Sequence, residues 1–468
     1  MADSARAWPA LLAGPLLFAV VLALPAPEGF SEPAWRVAAL TVWLAAWWLT
    51  EALPLPVTAL LPLLVLPVLG VSPLAQVSGH YAHPVVWLFF GGFAISLAIE
   101  RHGLHRRLIG AVLGVTGQGP RSALAGLMLA TAGLSLWLNN TSSTLAMLPA
   151  GRALIDRWPG TGADSRRFAC AVLLGIAYAA TLGGLGTLVG TATNALLAGY
   201  LQDTYGIEIG FARWMLVGVP LAGVLLLASW ALLVRLYRLP ARGVALGLEL
   251  DLPPWSSGER RLAVVFGLLV AGWLLRPLAP WPWAQAVGDA GVAVAAALAV
   301  LVVPAGGSDR RPLLEWSQLE RLPWGVLVLF GGGLALAQAV SSSGLAQSLG
   351  GVLAPLSGGS PWLVLAAVIG SVILISELAS NVAVAAAFLP VVGAFAVAGG
   401  GSVLELAVPA GLAASCAFML PVGTPPNALA FSQGVLTVRD MARAGWYLNL
   451  LAWGLLTLAA PQLLRLVF

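Results

Sequence analysis

Apolar residues in this chain run in solid blocks rather than in stripes. Blocks stand near 9–25, 35–50, 54–70, 84–100, 168–200, 214–237, 261–277, 286–304, 323–341, 403–433 and 443–466. About 20 apolar residues in a helix cross a bilayer, so each block predicts a membrane span. Two further blocks, 121–155 and 361–398, are equally apolar but broken at mid-length by an Asn motif. They predict helical hairpins that dip into the membrane and return on the same side. Before the first block stands one arginine, Arg6, and no small-residue cleavage pattern, which predicts a first span rather than a signal peptide.

The interruptions repeat. Leu138-Asn139-Asn140-Thr141 is followed by Pro149, and Ala379-Ser380-Asn381-Val382 by Pro390. Asn140 and Asn381 lie 241 residues apart, as do Pro149 and Pro390, Ser135 and Ser376, Phe89 and Phe330, Gly92 and Gly333, and Gly103 and Gly344. A second set, Gly190, Thr191 and Asn194, recurs as Gly423, Thr424 and Asn427 at a separation of 233, so one connection is eight residues shorter. Polar and helix-breaking residues duplicated inside apolar sequence are the mark of a transporter with paired discontinuous helices. A single Asn in an apolar helix is more often interhelical glue. The constant spacing of the whole set is what speaks against that reading.

Composition agrees. With 59% hydrophobic and 9% charged residues, against about 25% charged in globular proteins, the chain cannot cover a water-facing surface. Its net charge of +4 comes from arginine alone, since no lysine is present. With a cytoplasmic N-terminus and both interrupted blocks re-entrant, 19 of the 23 basic residues fall inside, leaving only Arg36, Arg213, Arg276 and Arg465 outside. The positive-inside rule predicts that asymmetry. These arginines are topology determinants beside an anionic leaflet and imply no nucleic-acid partner. The fold expected is an all-α polytopic membrane protein of eleven transmembrane helices plus two re-entrant hairpins, its C-terminus outside. Residues 1–34 hold an appended span, 35–238 a first repeat, 239–260 a cytoplasmic linker, and 261–468 a second repeat. Each repeat has five crossings, an odd number, so the two must be inverted. Amphipathic stretches near 104–115 and 345–356 suit either connecting arms or plain surface helices.

Irregular backbone survives at membrane depth only when buried in protein or lining a wet cavity. Each hairpin tip presents a helix N-terminus with free N–H groups, which suits an anion. The carbonyls freed at Gly190 and Gly423, with the Asn139, Asn140 and Asn381 side chains, offer neutral oxygens to a small hard cation such as sodium. No organic cofactor is implied.

Trp47-Trp48-Leu49-Thr50-Glu51-Ala52-Leu53-Pro54-Leu55-Pro56-Val57-Thr58 resembles the opening motif of the divalent anion/sodium symporter family, and Gly423-Thr424-Pro425-Pro426-Asn427 is similar to its later one. The resemblance covers almost the whole chain. It implies a homodimer in the lipid of a bacterial-type plasma membrane, in which a transport domain carries its substrate past a fixed scaffold. It implies sodium-driven uptake of dicarboxylates, tricarboxylates or sulfate, although some members exchange anions. Carried across, one sodium site takes Ser135, Asn139, Asn140 and Gly190, and the other Ser376, Ala379, Asn381 and Gly423. The divalent anion meets Asn140, Thr141, Ser380, Asn381, Val382, Thr424 and Pro425. Three positions depart from the family pattern: Asn139 stands for Ser, Val382 for Thr, and Ala192-Thr193 for Pro-Pro. The missing hydroxyl at Val382 removes a donor whose loss costs about 1.5–3 kcal/mol at a buried anion. Succinate is the leading substrate expectation.

Other residues admit two readings. Glu51 fits a cap or a site. Glu377, beside the second tip, is a functional candidate by its depth alone, with proton coupling the alternative to sodium. Asp289 reads as interfacial. His80 and His83, like His102 and His105, have i, i+3 spacing but no Cys or acidic companion at zinc spacing, so they read as loop histidines. Cys170 and Cys416 read as apolar fillers rather than a disulfide. An intramembrane enzyme would need a metal cluster, an acid pair or a nucleophile with its base, and the spans hold none of these. A channel would need a carbonyl ladder or a charged ring.

Overall fold

The computed structural model describes residues 4–241, 246, 252–306, 309–353 and 360–468. A helix stands at every block that the apolar pattern marks. The first half contains α1 (Ser4–Ala23), α2 (Glu32–Thr50), α3 (Leu55–Thr58), α4 (Leu61–Val68), α5 (Leu74–Gly79), α6 (Pro84–His102) and α7 (Leu104–Val115). The hairpin helices α8 (Pro120–Ser135) and α9 (Asn140–Asp156) follow, then α10 (Gly162–Gly184), α11 (Ala192–Tyr205) and α12 (Phe211–Leu236). The second half opens with α13 (Ser257–Leu275), α14 (Pro282–Val302), α15 (Trp324–Ser342) and α16 (Leu345–Leu353). It closes with the hairpin α17 (Pro361–Ser376) and α18 (Asn381–Ala398), then α19 (Val403–Ala414), α20 (Pro425–Phe431), α21 (Val438–Leu458) and α22 (Ala460–Val467). Among the described residues, eight helical stretches are long and apolar enough to cross a bilayer. Trp8–Ala23, Leu55–Val68, Pro361–Ser376 and Val403–Ala414 are shorter apolar helices. This is an all-α polytopic membrane fold.

The halves match element for element from α6 to α12 and from α15 to α21. The match extends to backbone strain. Gly103, at the bend from α6 into α7, has φ +73°, and Gly344, its partner 241 residues on, turns α15 into α16 at φ +84°. Only glycine adopts that conformation without cost, so the same sharp corner is written twice. Phe89 of α6 and Phe330 of α15, also repeat partners, meet edge to face at 4.9 Å between ring centroids.

At the centre lie the two broken helices. Every residue of α10 from Phe168 to Gly184 is buried, as is α19 from Leu406 to Ala414. Outside, the surface stays apolar: Leu227, Leu268 and Val302 are each well over half exposed. Lipid, not water, is the solvent that makes such a surface stable.

Two details differ from the sequence expectation. The linker ends four residues early, because Ser256 and Glu259 form a capping box that starts α13 at Ser257. That Ser-x-x-Glu pattern was visible in the sequence and satisfies two otherwise free N–H groups. Residues 242–245 and 247–251 of the linker, and 354–356 of the second amphipathic stretch, lie outside the described residues. An antiparallel strand pair, Pro304–Gly306 with Asp309–Pro312, also adds a small β element to a chain expected to be wholly helical. Its sequence, rich in Pro, Gly and Arg, carries no alternation long enough to read as strand.

Candidate functional site

At the first hairpin tip a side-chain cap starts the returning helix, whereas Ser380 at the second tip makes no such bond. Asn139 sits in extended backbone, and its side chain accepts the Ser142 N–H at 2.8 Å, starting α9. Behind it Ser135 is fully buried and its hydroxyl donates to the Ala180 carbonyl at 2.6 Å. The inner end of the Asn140 amide lies 2.9 Å from Ser135 Oγ, 3.1 Å from the Ala180 carbonyl and 3.3 Å from the Gly190 carbonyl. Two arrangements satisfy that crowd of oxygens. Either the amide turns its NH2 inward and donates to them, or its oxygen joins them around a cation. A neutral oxygen set of this kind fits sodium. Glycine is obligatory at 190: a Cβ there would stand 2.5 Å from the Gly184 carbonyl oxygen and 2.9 Å from that of Ser135.

The second tip repeats the plan with its oxygens left open. Ser376 Oγ and Asn381 Oδ1 are both buried without a hydrogen-bond partner. They are two of eleven such atoms among the described residues, and these two lie where the sequence expects the second cation. Ala379 lies buried behind the tip, and Gly423 faces it from the break between α19 and α20.

Between the tips is a cavity of about 1160 Å³. All seven residues expected to meet the anion (Asn140, Thr141, Ser380, Asn381, Val382, Thr424 and Pro425) line it. Of the expected cation ligands, Asn139, Asn140, Gly190, Asn381 and Gly423 reach its wall, whereas Ser135, Ser376 and Ala379 do not. Ser135 and Ser376 sit one layer deeper, where a desolvated cation belongs. Val382 turns a hydrocarbon face to the cavity at the place where Thr141 offers a hydroxyl in the first repeat. At one end the cavity is lined by residues 51–55 with Arg321 and Pro323. Glu51 is the C-cap of α2, held in left-handed backbone at φ 48°, so it serves as a cap and also lines the cavity.

Sequence spacing showed Asn194 and Asn427 as a repeated pair without giving them a task. Asn194 Nδ2 donates to the Gly184 and Thr187 carbonyls at 3.1 and 2.8 Å, while Asn427 Nδ2 donates to those of Ala417 and Leu420 at 3.2 and 3.0 Å. Both reach back ten and seven residues, so one side chain in each repeat ties up carbonyls that the break sets free. The breaks also touch: the Thr193 and Ser415 hydroxyls lie 2.5 Å apart.

Glu377 has a definite task. Its carboxylate accepts N–H bonds from Phe418, Met419 and Leu420, and from Asn449 Nδ2, all at 2.7–3.0 Å. The group supplies the negative end for the exposed N–H groups of the α19–α20 break. It also lies beside the second cation position, since a Cβ on Gly423 would be 3.5 Å from Glu377 Oε2. In the first repeat Leu136 stands at the equivalent place.

The histidines at 80 and 83 do find an acid, though one 120 residues away. His80 Nδ1 lies 3.3 Å and His83 Nε2 2.9 Å from the two oxygens of Asp203 on α11. His83 Nδ1 also accepts the Val85 N–H at 3.2 Å, capping α6, so the proton of a neutral ring sits on Nε2 and faces Asp203. Burial opposes ionisation of Asp203, but the two histidines outweigh it and hold its carboxyl well below the usual carboxylate range. His102 and His105 bond backbone carbonyls of Leu313 and Ile99. Asp289 is more than interfacial: it pairs with Arg276 at 2.8 Å and accepts the Phe211 N–H at 2.7 Å, so it fastens α12 to α14. Cys170 and Cys416 are free and buried.

Known proteins resemble this chain along most of its length. The chain is 38% identical over 458 residues to the sodium-dependent dicarboxylate transporter SdcS of Staphylococcus saprophyticus, covering 94% of this chain and 88% of that protein. It is 37% identical to the SdcS protein of Staphylococcus aureus with the same coverage. Among solved structures, the Alcanivorax borkumensis YdaH transporter shares the fold at a TM-score of 0.60 and 14% identity, over 93% of this chain and 99% of that one. Residues 5–466 match the family described as the sodium:sulfate symporter transmembrane region, and the chain belongs to that family.

Proposed function

We propose that this chain is a sodium-coupled secondary transporter of a small divalent anion, with a C4-dicarboxylate such as succinate as its substrate. The observation that carries this reading is the meeting of two hairpin tips and two helix breaks on one cavity, each tip backed by neutral oxygens in need of a cation. Sodium bound at Ser135, Asn139, Asn140 and Gly190, and again at Ser376, Ala379, Asn381 and Gly423, would set positive charge behind both tips. The two carboxylates of the substrate would then meet helix N-termini and the hydroxyls of Thr141, Ser380 and Thr424. The SdcS proteins are named for sodium-dependent dicarboxylate transport, which supports both the ion and the substrate class.

The duplicated elements and the Phe89–Phe330 contact support two inverted repeats, residues 35–238 and 261–468. With them goes a topology of eleven crossings and two hairpins, N-terminus in and C-terminus out. Movement of the hairpins and broken helices past the remaining helices of a homodimer would carry the site to the other side. Equilibrium binding of labelled succinate to the purified protein tests the reading. Saturable binding that tightens with sodium, and is displaced by other dicarboxylates before sulfate or citrate, is the expected result. Sodium-independent binding would make the protein an exchanger instead, and a preference for sulfate would mean that Asn139 and Val382 have retuned the pocket.

A further inference from the structure

The two arm helices, α7 and α16, each border a second cavity where the arm meets the returning helix of its hairpin. The first, about 820 Å³, lies between α7 and α9; the second, about 440 Å³, lies between α16 and α18. They are repeat copies. His105, Arg106, Ile109 and Ala153 line the first, and Ala346, Gln347, Gly350 and Ala394, each 241 residues later, line the second. In chemistry they differ. The first has a cationic wall on the arm and, opposite, an apolar wall of Leu145, Ala146, Pro149 and Ala150 on α9. Its copy has no charged residue in its lining.

Within the first cavity the charges are not all spent. Arg107 is taken by Glu259, with bonds of 2.9 and 3.1 Å, and lies over the Trp255 ring. Arg106 is exposed at the wall, and among the described residues its guanidinium has no partner. Leu145 across the gap is half exposed as well. One free cation facing an apolar wall, at the level of an amphipathic surface helix, is complementary to an amphiphile with a negative head.

We infer that the α7–α9 cavity is a binding site for an anionic phospholipid, with its phosphate on Arg106 and an acyl chain along Leu145, Pro149 and Ala150. The uncharged copy on the opposite face takes lipid without selecting for charge. This uses the cytoplasmic placing of α7 proposed above, where anionic lipid and basic pockets between helices coincide. Because α9 belongs to the hairpin and α7 to the arm, such a lipid sits across the joint that transport would flex.

Native mass spectrometry of the full-length protein, purified with mixed phosphatidylglycerol and phosphatidylcholine, tests the site without reference to transport or to membrane orientation. The wild-type protein should retain phosphatidylglycerol over phosphatidylcholine. Arg106→Gln, which converts the wall to the residue of its repeat copy, should cut that retention about fivefold, the weight of one arginine at an anionic surface. Gln347→Arg should add a retained phosphatidylglycerol at the second cavity. Unchanged retention in Arg106→Gln would overturn the proposal, and so would no gain in Gln347→Arg. Millimolar inorganic phosphate should leave the lipid in place; if it strips it, the site holds a free anion and the lipid assignment fails.

Discussion

Asn381 is the residue on which most of the account rests, since its buried Oδ1 has no partner within the protein. Asn381→Ala and Asn140→Ala should each abolish uptake while leaving folded, membrane-inserted protein, measured side by side by transport and by size-exclusion profile. Normal uptake in both would remove the site assignment. Val382→Thr restores a hydroxyl toward the cavity, so it should tighten dicarboxylate binding by about 1.5–3 kcal/mol, the worth of a hydrogen bond to a charged group. An unchanged affinity in a titration would show that residue 382 does not touch the substrate. These positions were legible in the sequence because Asn, Ser and Gly in apolar surroundings stand out, and duplication marked which of them mattered. Glu377 was legible only as an acid at depth. Its role lies in four N–H donors from residues 418–420 and 449, a meeting that no local pattern foretells.

At the scale of elements, the breaks need their own clamps. Asn194→Leu and Asn427→Leu each strip the donor from at least two buried carbonyls, and an unmet buried acceptor costs about 1–3 kcal/mol. Both variants should melt well below the wild type in a thermal unfolding assay, with or without sodium. A melting point within a degree of wild type would show that the carbonyls find other donors. The contact of Asp203 with His80 and His83 fastens α11 to the turn before α6. Because the folded state holds the Asp203 carboxyl below its usual range, its stabilisation is complete above the ordinary carboxylate range. It is lost as pH falls through the lower folded value. Asp203→Asn should therefore weaken the protein at neutral pH and flatten the acid limb of its stability profile; an unaltered acid limb would contradict this. The apolar blocks located the helices within a few residues because lipid demands length and composition alike. The histidine–aspartate contact and the strand pair escaped notice since both depend on chain segments meeting in space.

Across the whole molecule the duplicated segments meet, with Phe89 against Phe330 and Thr193 against Ser415. On the proposed reading such a plan would place two equivalent cation positions around one anion position, and their shared wall would couple the two ion types. In the proposed function, sodium would turn the Asn140 oxygen inward and fill the gap between Ser376 and Asn381, completing the positive field at both tips. The central claim is that a sodium gradient drives the anion. Uptake of labelled succinate into proteoliposomes, with and without an inward sodium gradient, measures it directly. Accumulation that saturates with succinate and vanishes when sodium is equal on both sides, or replaced by potassium, is the predicted result. Uptake that ignores sodium but requires anion inside the vesicle would contradict it.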